Sequence, residues 1–177
     1  MKAMILLTKD IYLRLGFESI TGEVCNTQDP SIAIMDDGVR FLYFLDMSSL
    51  RGKFPPAREG TDFFLKRLRL VIPRDMQRDE ISNFIHLFQQ DKFQINCLSQ
   101  RERLVLLDMS QGKSPKVLNT NTGMAYKTWH NFKATGFKRL GIKNNITFIN
   151  AIHSWYNWIH SSDIESFFTK KSNQYYY

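Results

Sequence analysis

The sequence of 177 residues predicts an α/β N-terminal domain, a truncated sheet with flanking helices, followed by an all-α four-helix C-terminal domain. Three observations predict it. Before residue 97, short apolar runs alternate with stretches at helical spacing. After it, a capping box and punctuating glycines and prolines mark off helices. Charge divides at the same place: residues 1–97 carry 13 Lys+Arg against 13 Asp+Glu, whereas residues 98–177 carry 11 against 4 and hold the whole net charge of +7. A hydrophobic share of 43% is ample for a packed core and excludes a disordered chain.

Ala3–Leu7 is a continuous apolar run and suits a strand buried on both faces. Ile11, Leu15 and Phe17 then read as a helix ending near Thr21-Gly22, and Val24–Thr27 as a short second strand. From Asp29-Pro30 to Gly38 the pattern is ambiguous and leans towards a helical turn or loop. Arg40–Asp46 (R-F-L-Y-F-L-D) is the clearest strand. Gly52 to Gly60, with Pro55-Pro56, reads as a loop, Asp62–Arg67 as a short helix and Leu68–Ile72 as a strand stopped by Pro73. A helix starting at Asp75 or Arg78 runs to about Gln90 with Ile81, Phe84, Ile85 and Phe88 on its buried face. The first domain is thus drawn as 1–90, a linker as 91–97, the second domain as 98–160 and a C-terminal appendix as 161–177.

In the second domain Ser99 and Glu102 form a capping box, in which the serine oxygen takes an orphan amide and the glutamate reaches back. Val105, Leu106 and Met109 give that helix one apolar face, and Gly112 falls where it should stop. Ser114-Pro115 opens a second, short helix to Thr122, closed by Gly123. A third runs from about Ala125 to Leu140, before Gly141. Helix, glycine turn, helix is the helix-turn-helix plan, whose second member enters a DNA groove. The third helix divides its faces as that plan needs. Trp129, Phe132, Phe137 and Leu140 make a rough apolar stripe, while Lys127, Asn131, Ala134 and Lys138 share a polar face without an acid, with His130 beside it. Lysine can meet phosphate or guanine, asparagine can bond adenine bidentately, and alanine can touch a thymine methyl. Otherwise such a row is simply a solvated basic face. A fourth helix, Ile146–Ile159, lines up Ile149, Ile152, Trp155, Tyr156 and Ile159, a stripe suited either to dimerisation or to closing the small core.

The whole pattern resembles the LuxR-type (FixJ/NarL-like) DNA-binding domain, whose common form is L-T-x-R-E-x-E-V-L-x-x-x-x-x-G-x-S-x-K-E-I-A, then L-x-I-S-x-x-T-V-x-x-H and K-L-x-x-x-N. Leu98, Ser99, Arg101, Glu102, Val105, Leu106, Gln111, Gly112, Ser114, Lys116, Lys127, Thr128, Leu140, Gly141 and Asn144 fall in place without a gap, over about a third of the chain. The departures are Phe132 for the family's frequent histidine, Trp129 for the aliphatic after the threonine, Asn119 and Thr122 in the scaffold helix, and Gly136 for a core aliphatic whose volume Trp129 or Phe137 would fill. The resemblance implies DNA binding through Lys127, Thr128, His130, Asn131, Lys133 and Ala134 in the major groove, with Lys116, Lys138, Arg139 and Lys143 at or near phosphates. It also implies dimerisation through the fourth helix.

The N-terminal half resembles a response-regulator receiver cut short. Its phosphorylation set is degenerate: Lys9-Asp10 replaces the acid pair after the first strand, Asp46 stands where the phosphoryl acceptor would, and Pro73-Arg74 lies near the missing lysine. Lys9 is a cation that could pair with Asp46 and mimic a switched state; the plainer alternative is an ordinary acid at a strand end. With the opening M-I-L-L-T-K-D-I-Y-L-R-L-G-F, the chain is similar to the GadE/RcsA-like group of enterobacterial regulators. That likeness implies a bacterial transcriptional regulator that works without phosphorylation, as a homodimer or as a heterodimer with another LuxR-type regulator, and it allows RNA polymerase as a partner. The alternative, from another class, is an auxiliary protein–protein adaptor that pairs with such a regulator and reads few bases itself.

No nucleophile–base pair or phosphate loop argues for an enzyme, and the sequence asks for no cofactor or metal: His86, His130, His153 and His160 are scattered, and Cys25 and Cys97 form no ligand pattern. Reduced thiols, no signal peptide in Met1–Leu7 and no run of about 20 apolar residues predict a cytoplasmic protein, on the nucleoid when bound to DNA, with no membrane partner.

Overall fold

The computed structural model describes residues 4–21, 31–48, 60–89, 97–113 and 123–160. Four strands form one sheet in the order β1 (Met4–Leu7), β2 (Ile32–Asp36), β3 (Phe41–Asp46), β4 (Leu68–Pro73). Six helices surround it among these residues: α1 (Ile11–Thr21), α2 (Gly60–Arg67), α3 (Arg78–Gln89), α4 (Gln100–Ser110), α5 (Tyr126–Leu140) and α6 (Asn145–Ile159). The expected strand at Val24–Thr27, the scaffold helix Pro115–Thr122 and the appendix lie outside the described residues.

The sheet corrects two expectations. Ile32–Asp36, expected as a helical turn or loop, is a strand buried at all five positions. It is flanked on both sides by other strands and covered on both faces, so its side chains show no polar alternation to betray it. The sheet is also mixed, unlike the wholly parallel sheet of a receiver. β1 pairs with β2 in parallel, with α1 as the crossover, but β2–β3 and β3–β4 are antiparallel. For β2–β3 the physical reason is the connection from Asp37 to Arg40, too short for a crossover. Asp37 Oδ1 accepts the amides of Val39, Arg40 and Phe41, and Gly38 takes φ 72°, so the chain must fold straight back. β1, β2 and β4 therefore run one way and β3 the other.

Each sheet face buries a different set of helices. Met4, Ile32, Ile34, Leu42, Phe44 and Ile72 pack with Phe17 of α1 and Ile81, Ile85 and Phe88 of α3. On the opposite face Leu7, Met35, Tyr43, Leu45 and Val71 share one core with Phe64 of α2, Leu106 of α4, Phe137 and Leu140 of α5, and Phe148, Ile152, Trp155 and Trp158 of α6. Described residues before 90 and after 98 thus share one apolar core.

Trp155 is the centre of that core. It is fully buried, stacks on Phe63 and Phe64 at centroid distances of 5.7 and 5.4 Å, and donates its indole N–H to the Gly60 carbonyl at 2.6 Å. A Cβ at residue 60 would lie 3.2 Å from Ile159 Cδ1, so α2 and α6 meet where one partner lacks a side chain. A second close approach occurs at Gly141, where a Cβ would stand 2.8 Å from the Val71 carbonyl oxygen and φ is +73°. These contacts predict that Trp155→Ala costs about 3–5 kcal/mol, the range for truncating a buried aromatic. In urea the midpoint should fall while tryptophan fluorescence and far-UV circular dichroism still report one shared transition; separate transitions in the unsubstituted protein would contradict a common core.

Candidate nucleic-acid interface

α4 begins as the sequence expects. Ser99 Oγ accepts the Glu102 amide at 3.2 Å, and the Ser99 amide donates to Glu102 Oε2 at 2.7 Å. The helix gives way at Gln111 and Gly112, the latter at φ 71°. α5 follows after Gly123 and ends on Gly141 in the left-handed conformation. Fifteen residues make it about 22 Å long, enough to lie across a major groove.

α5 is held by Trp129, Gly136, Phe137 and Leu140, which are buried. Trp129 packs in a small cluster with Val105, Met109, Met124 and Phe132, and the Arg101 guanidinium lies over the Phe132 ring at 5.9 Å. The space left by Gly136 is filled by neither Trp129 nor Phe137. Leu98 and Leu106 occupy it, since a Cβ at 136 would meet both at 3.4 Å. The glycine lets α4 press close to α5.

With the inner face so committed, the polar residues are left outside. Lys127, Thr128, Asn131, Ala134, Lys138 and Arg139 are exposed on α5, as is Lys143 in the turn after it, and His130 and Lys133 are half-buried. Lys116 lies outside the described residues. Two of these cations are less free than the sequence suggests. The Lys133 ammonium leans back over the rings of Phe137 and Trp129, at 5.6 and 5.9 Å. Arg139 Nε donates to Glu102 Oε1 at 3.0 Å. Glu102 is 3% exposed, so the capping residue of α4 also ties α5 to it by a partly buried ion pair. The sequence signalled its first role but not its second, because residues 102 and 139 lie on different helices.

The face expected to join two copies needs correction. Ile152 and Trp155 are buried and Ile159 is half-buried against Gly60, so these three complete the monomer core and are not available to a partner. A helix stripe read from sequence does not reveal what covers it, and here the sheet and α2 do. Ile146, Ile149 and Tyr156 are the large apolar side chains of α6 that remain exposed.

The receiver-like positions are likewise rearranged. Asp46 ends β3, the strand that runs against the others, and stands opposite Ile32, whereas Leu7 stands opposite Met35. Lys9 and Asp46 are therefore at opposite ends of the sheet, and the expected pairing between them does not form. Arg69 serves Asp46 instead, at 3.1 Å, with the Ser48 hydroxyl and amide also donating to it. Burial pushes the Asp46 carboxyl up, but the Ser48 donors and Arg69 outweigh it and leave the group below its usual range. At the other end Thr8 donates to Asp36 at 2.7 Å, and Arg74 joins Asp36, at 3.3 Å, to Asp10. The amides of Leu13 and Tyr12 at the start of α1 also donate to Asp10, whose carboxyl lies below its usual range chiefly through Leu13.

Glu102 gives a pH-dependent test. Burial raises its pKa, but the Ser99 amide, then the Thr135 and Ser99 side chains and lastly Arg139, favour the carboxylate more, so the folded value lies below the usual 4.5. A depressed folded pKa contributes stability that is full above the unfolded value and is lost as pH falls through the folded one. Glu102→Gln should therefore lower stability at pH 7 and flatten its loss below about pH 4.5, measured as urea midpoints across pH. An acid limb as steep as in the unsubstituted protein would show that Glu102 is not the coupled group.

Comparison with family models, curated proteins and solved structures finds no match to this chain, so the likeness to LuxR-type domains rests on the residues themselves.

Proposed function

We propose that the protein is a sequence-specific DNA-binding transcriptional regulator that presents α5 to the major groove. One observation carries this reading: Lys127, Thr128, Asn131, Ala134 and Lys138 are exposed on one helix whose opposite side is locked into a core, with no carboxylate among them. The surroundings support it, since the chain holds no Asp or Glu between Asp108 and Asp163. A basic surface without internal counter-charge favours a polyanion, because neutralising phosphates releases condensed counterions. Side chains of mixed chemistry among the lysines supply what charge alone lacks, a means to distinguish bases.

The protein acts without phosphorylation on this reading, for Asp46 stands at the opposite end of the sheet from Asp10, and each is paired with its own arginine. It works as a dimer, with itself or with another LuxR-type regulator. The exposed Ile146, Ile149 and Tyr156 favour such a contact and leave room for the adaptor reading, in which pairing matters more than base readout.

Binding to duplexes selected by the full chain from a random pool separates these roles. Asn131→Ala should cost about 1–3 kcal/mol on the selected sequence and little on others. Lys138→Ala should weaken binding to every sequence and reduce the salt slope by about 0.9. Selection that enriches nothing, with only salt-labile, sequence-blind binding until a LuxR-type partner is added, would favour the adaptor.

A further inference from the structure

On α1, Ile11, Tyr12 and Leu15 are 64, 82 and 54% exposed. With Ser19, also exposed, their spacing brings them to one side of the helix. The fold does not use that side. Leu13, Phe17 and Ile20 seat α1 in the core on the sheet. Asp10 holds its first turn by accepting the Tyr12 and Leu13 amides, and Arg78 donates to the Ser19 carbonyl near its end. Gly16 stands beside the apolar row in the helix interior, where a glycine is a weakening choice. A Cβ there would meet nothing within 4 Å, so no contact inside the chain accounts for it. The charged residues of α1 are Arg14 and Glu18, one turn apart and half-buried at the border of the exposed side. Arg14 donates to the Thr8 carbonyl at 3.1 Å, and neither residue forms an ion pair among the described residues.

We propose that this side of α1 packs against the same side of a second copy of the chain, the two helices running antiparallel about a two-fold axis near Leu15 and Gly16. Charge selects both the partner and the direction. The surface holds one charge of each sign, so it offers little to a wholly basic or wholly acidic partner. Turned end for end on its own copy, it sets Arg14 of each chain beside Glu18 of the other, whereas a parallel pair would set like beside like. The apolar row is centred on the same axis: Leu15 meets its counterpart, Tyr12 of each copy reaches the Ser19 end of the other, and Gly16 lets the backbones approach. The contact is small. Eleven residues make a helix about 16 Å long, which falls short of the roughly 800 Å² per partner that a standard interface buries. It therefore acts between chains that are already concentrated. α1 and α3 cover one sheet face, and α2, α4, α5 and α6 pack on the other. A copy on α1 leaves α5 open and adds to any contact at Ile146, Ile149 and Tyr156, so the two surfaces together join chains in a row.

Sedimentation equilibrium of the full chain, from about 5 to 500 μM, tests the contact without DNA. The series is run on the unsubstituted chain and on Ile149→Glu, which sets the α6 surface aside. The mass of Ile149→Glu should still rise with concentration. Adding Leu15→Glu should hold it at the monomer mass throughout, with the melting temperature in place because Leu15 is exposed. In the same Ile149→Glu background, Arg14→Glu and Glu18→Arg should each weaken association about tenfold, since like charges then face each other across the axis. An equimolar mixture of those two variants should associate again, each supplying the sign the other lacks, and that recovery shows both to be folded. A mixture no better than its components overturns the antiparallel pairing. Association that survives Leu15→Glu overturns the proposal as well. So does an Ile149→Glu chain that stays monomeric at every concentration, which would leave self-pairing to α6 and the α1 surface to a different protein.

Discussion

The seating of Trp155 against Gly60 is the constraint on which the rest of this structure depends. The indole brings a large apolar surface and one obligatory donor, and both are met by the same short helix: Phe63 and Phe64 take the ring, and the Gly60 carbonyl takes the N–H. A Cβ at residue 60 would stand 3.2 Å from Ile159 Cδ1, so α6 and α2 meet closely there and the isoleucine would have to give by a few tenths of an ångström. Once α6 is fixed there, α5 has little freedom, because only Gly141 to Asn144 separate the two helices. Gly141 lies against the Val71 backbone, and Arg139 is tied to Glu102. Three anchors of different kinds, an aromatic stack, a glycine contact and an ion pair, thus define which side of α5 faces water.

That geometry gives meaning to the charge split. In the sheet half, acids are answered close by: Asp46 by Arg69, Asp36 and Asp10 by Arg74, Asp62 by Lys66 and Arg103. On the outer side of α5, Lys127 and Lys138 face no such partner among the described residues. Like charges on one helix oppose each other by a few tenths of a kcal/mol per pair, a cost that folding does not recover. A polyanionic partner recovers it, and more as salt is lowered. On the proposed reading, placing Asn131 and Thr128 among those lysines, on a helix whose inner face is locked, provides the rigidity that base recognition needs.

Much of this was legible in the sequence, for local reasons. The capping box at Ser99 and Glu102, the stops at Gly112 and Gly141 and the strand at Phe41–Asp46 are each specified by a handful of neighbouring residues, and each stands where the pattern puts it. The failures share a different cause. β2 is not legible because a strand covered on both faces loses its period. The direction of β3 depends on what a four-residue turn allows and what Asp37 holds, which periodicity does not encode. The fourth-helix stripe is apolar as its spacing indicates, but Ile152 and Trp155 pack in the chain's own core with the sheet and α2. Of the outward face of α5, the sequence identified the members; the diversion of Arg139 and Lys133 to contacts within the protein required knowing which helix lies behind them.

Those diversions bear on regulation. Arg69 is paired with Asp46 and Arg74 with Asp36 and Asp10, and the indole N–H of Trp158 reaches the Asp36 carbonyl at 3.4 Å, so α6 rests directly on the end of β2. Moving α6 would expose Trp155 and Trp158 together and break the stacks on α2, a cost of several kcal/mol. A local charge change at one carboxylate, already screened by its arginine, supplies less than that. On the proposed reading, DNA binding by such a protein is governed by how much of it is present and by which second chain covers the exposed Ile146, Ile149 and Tyr156, rather than by a switch within the sheet.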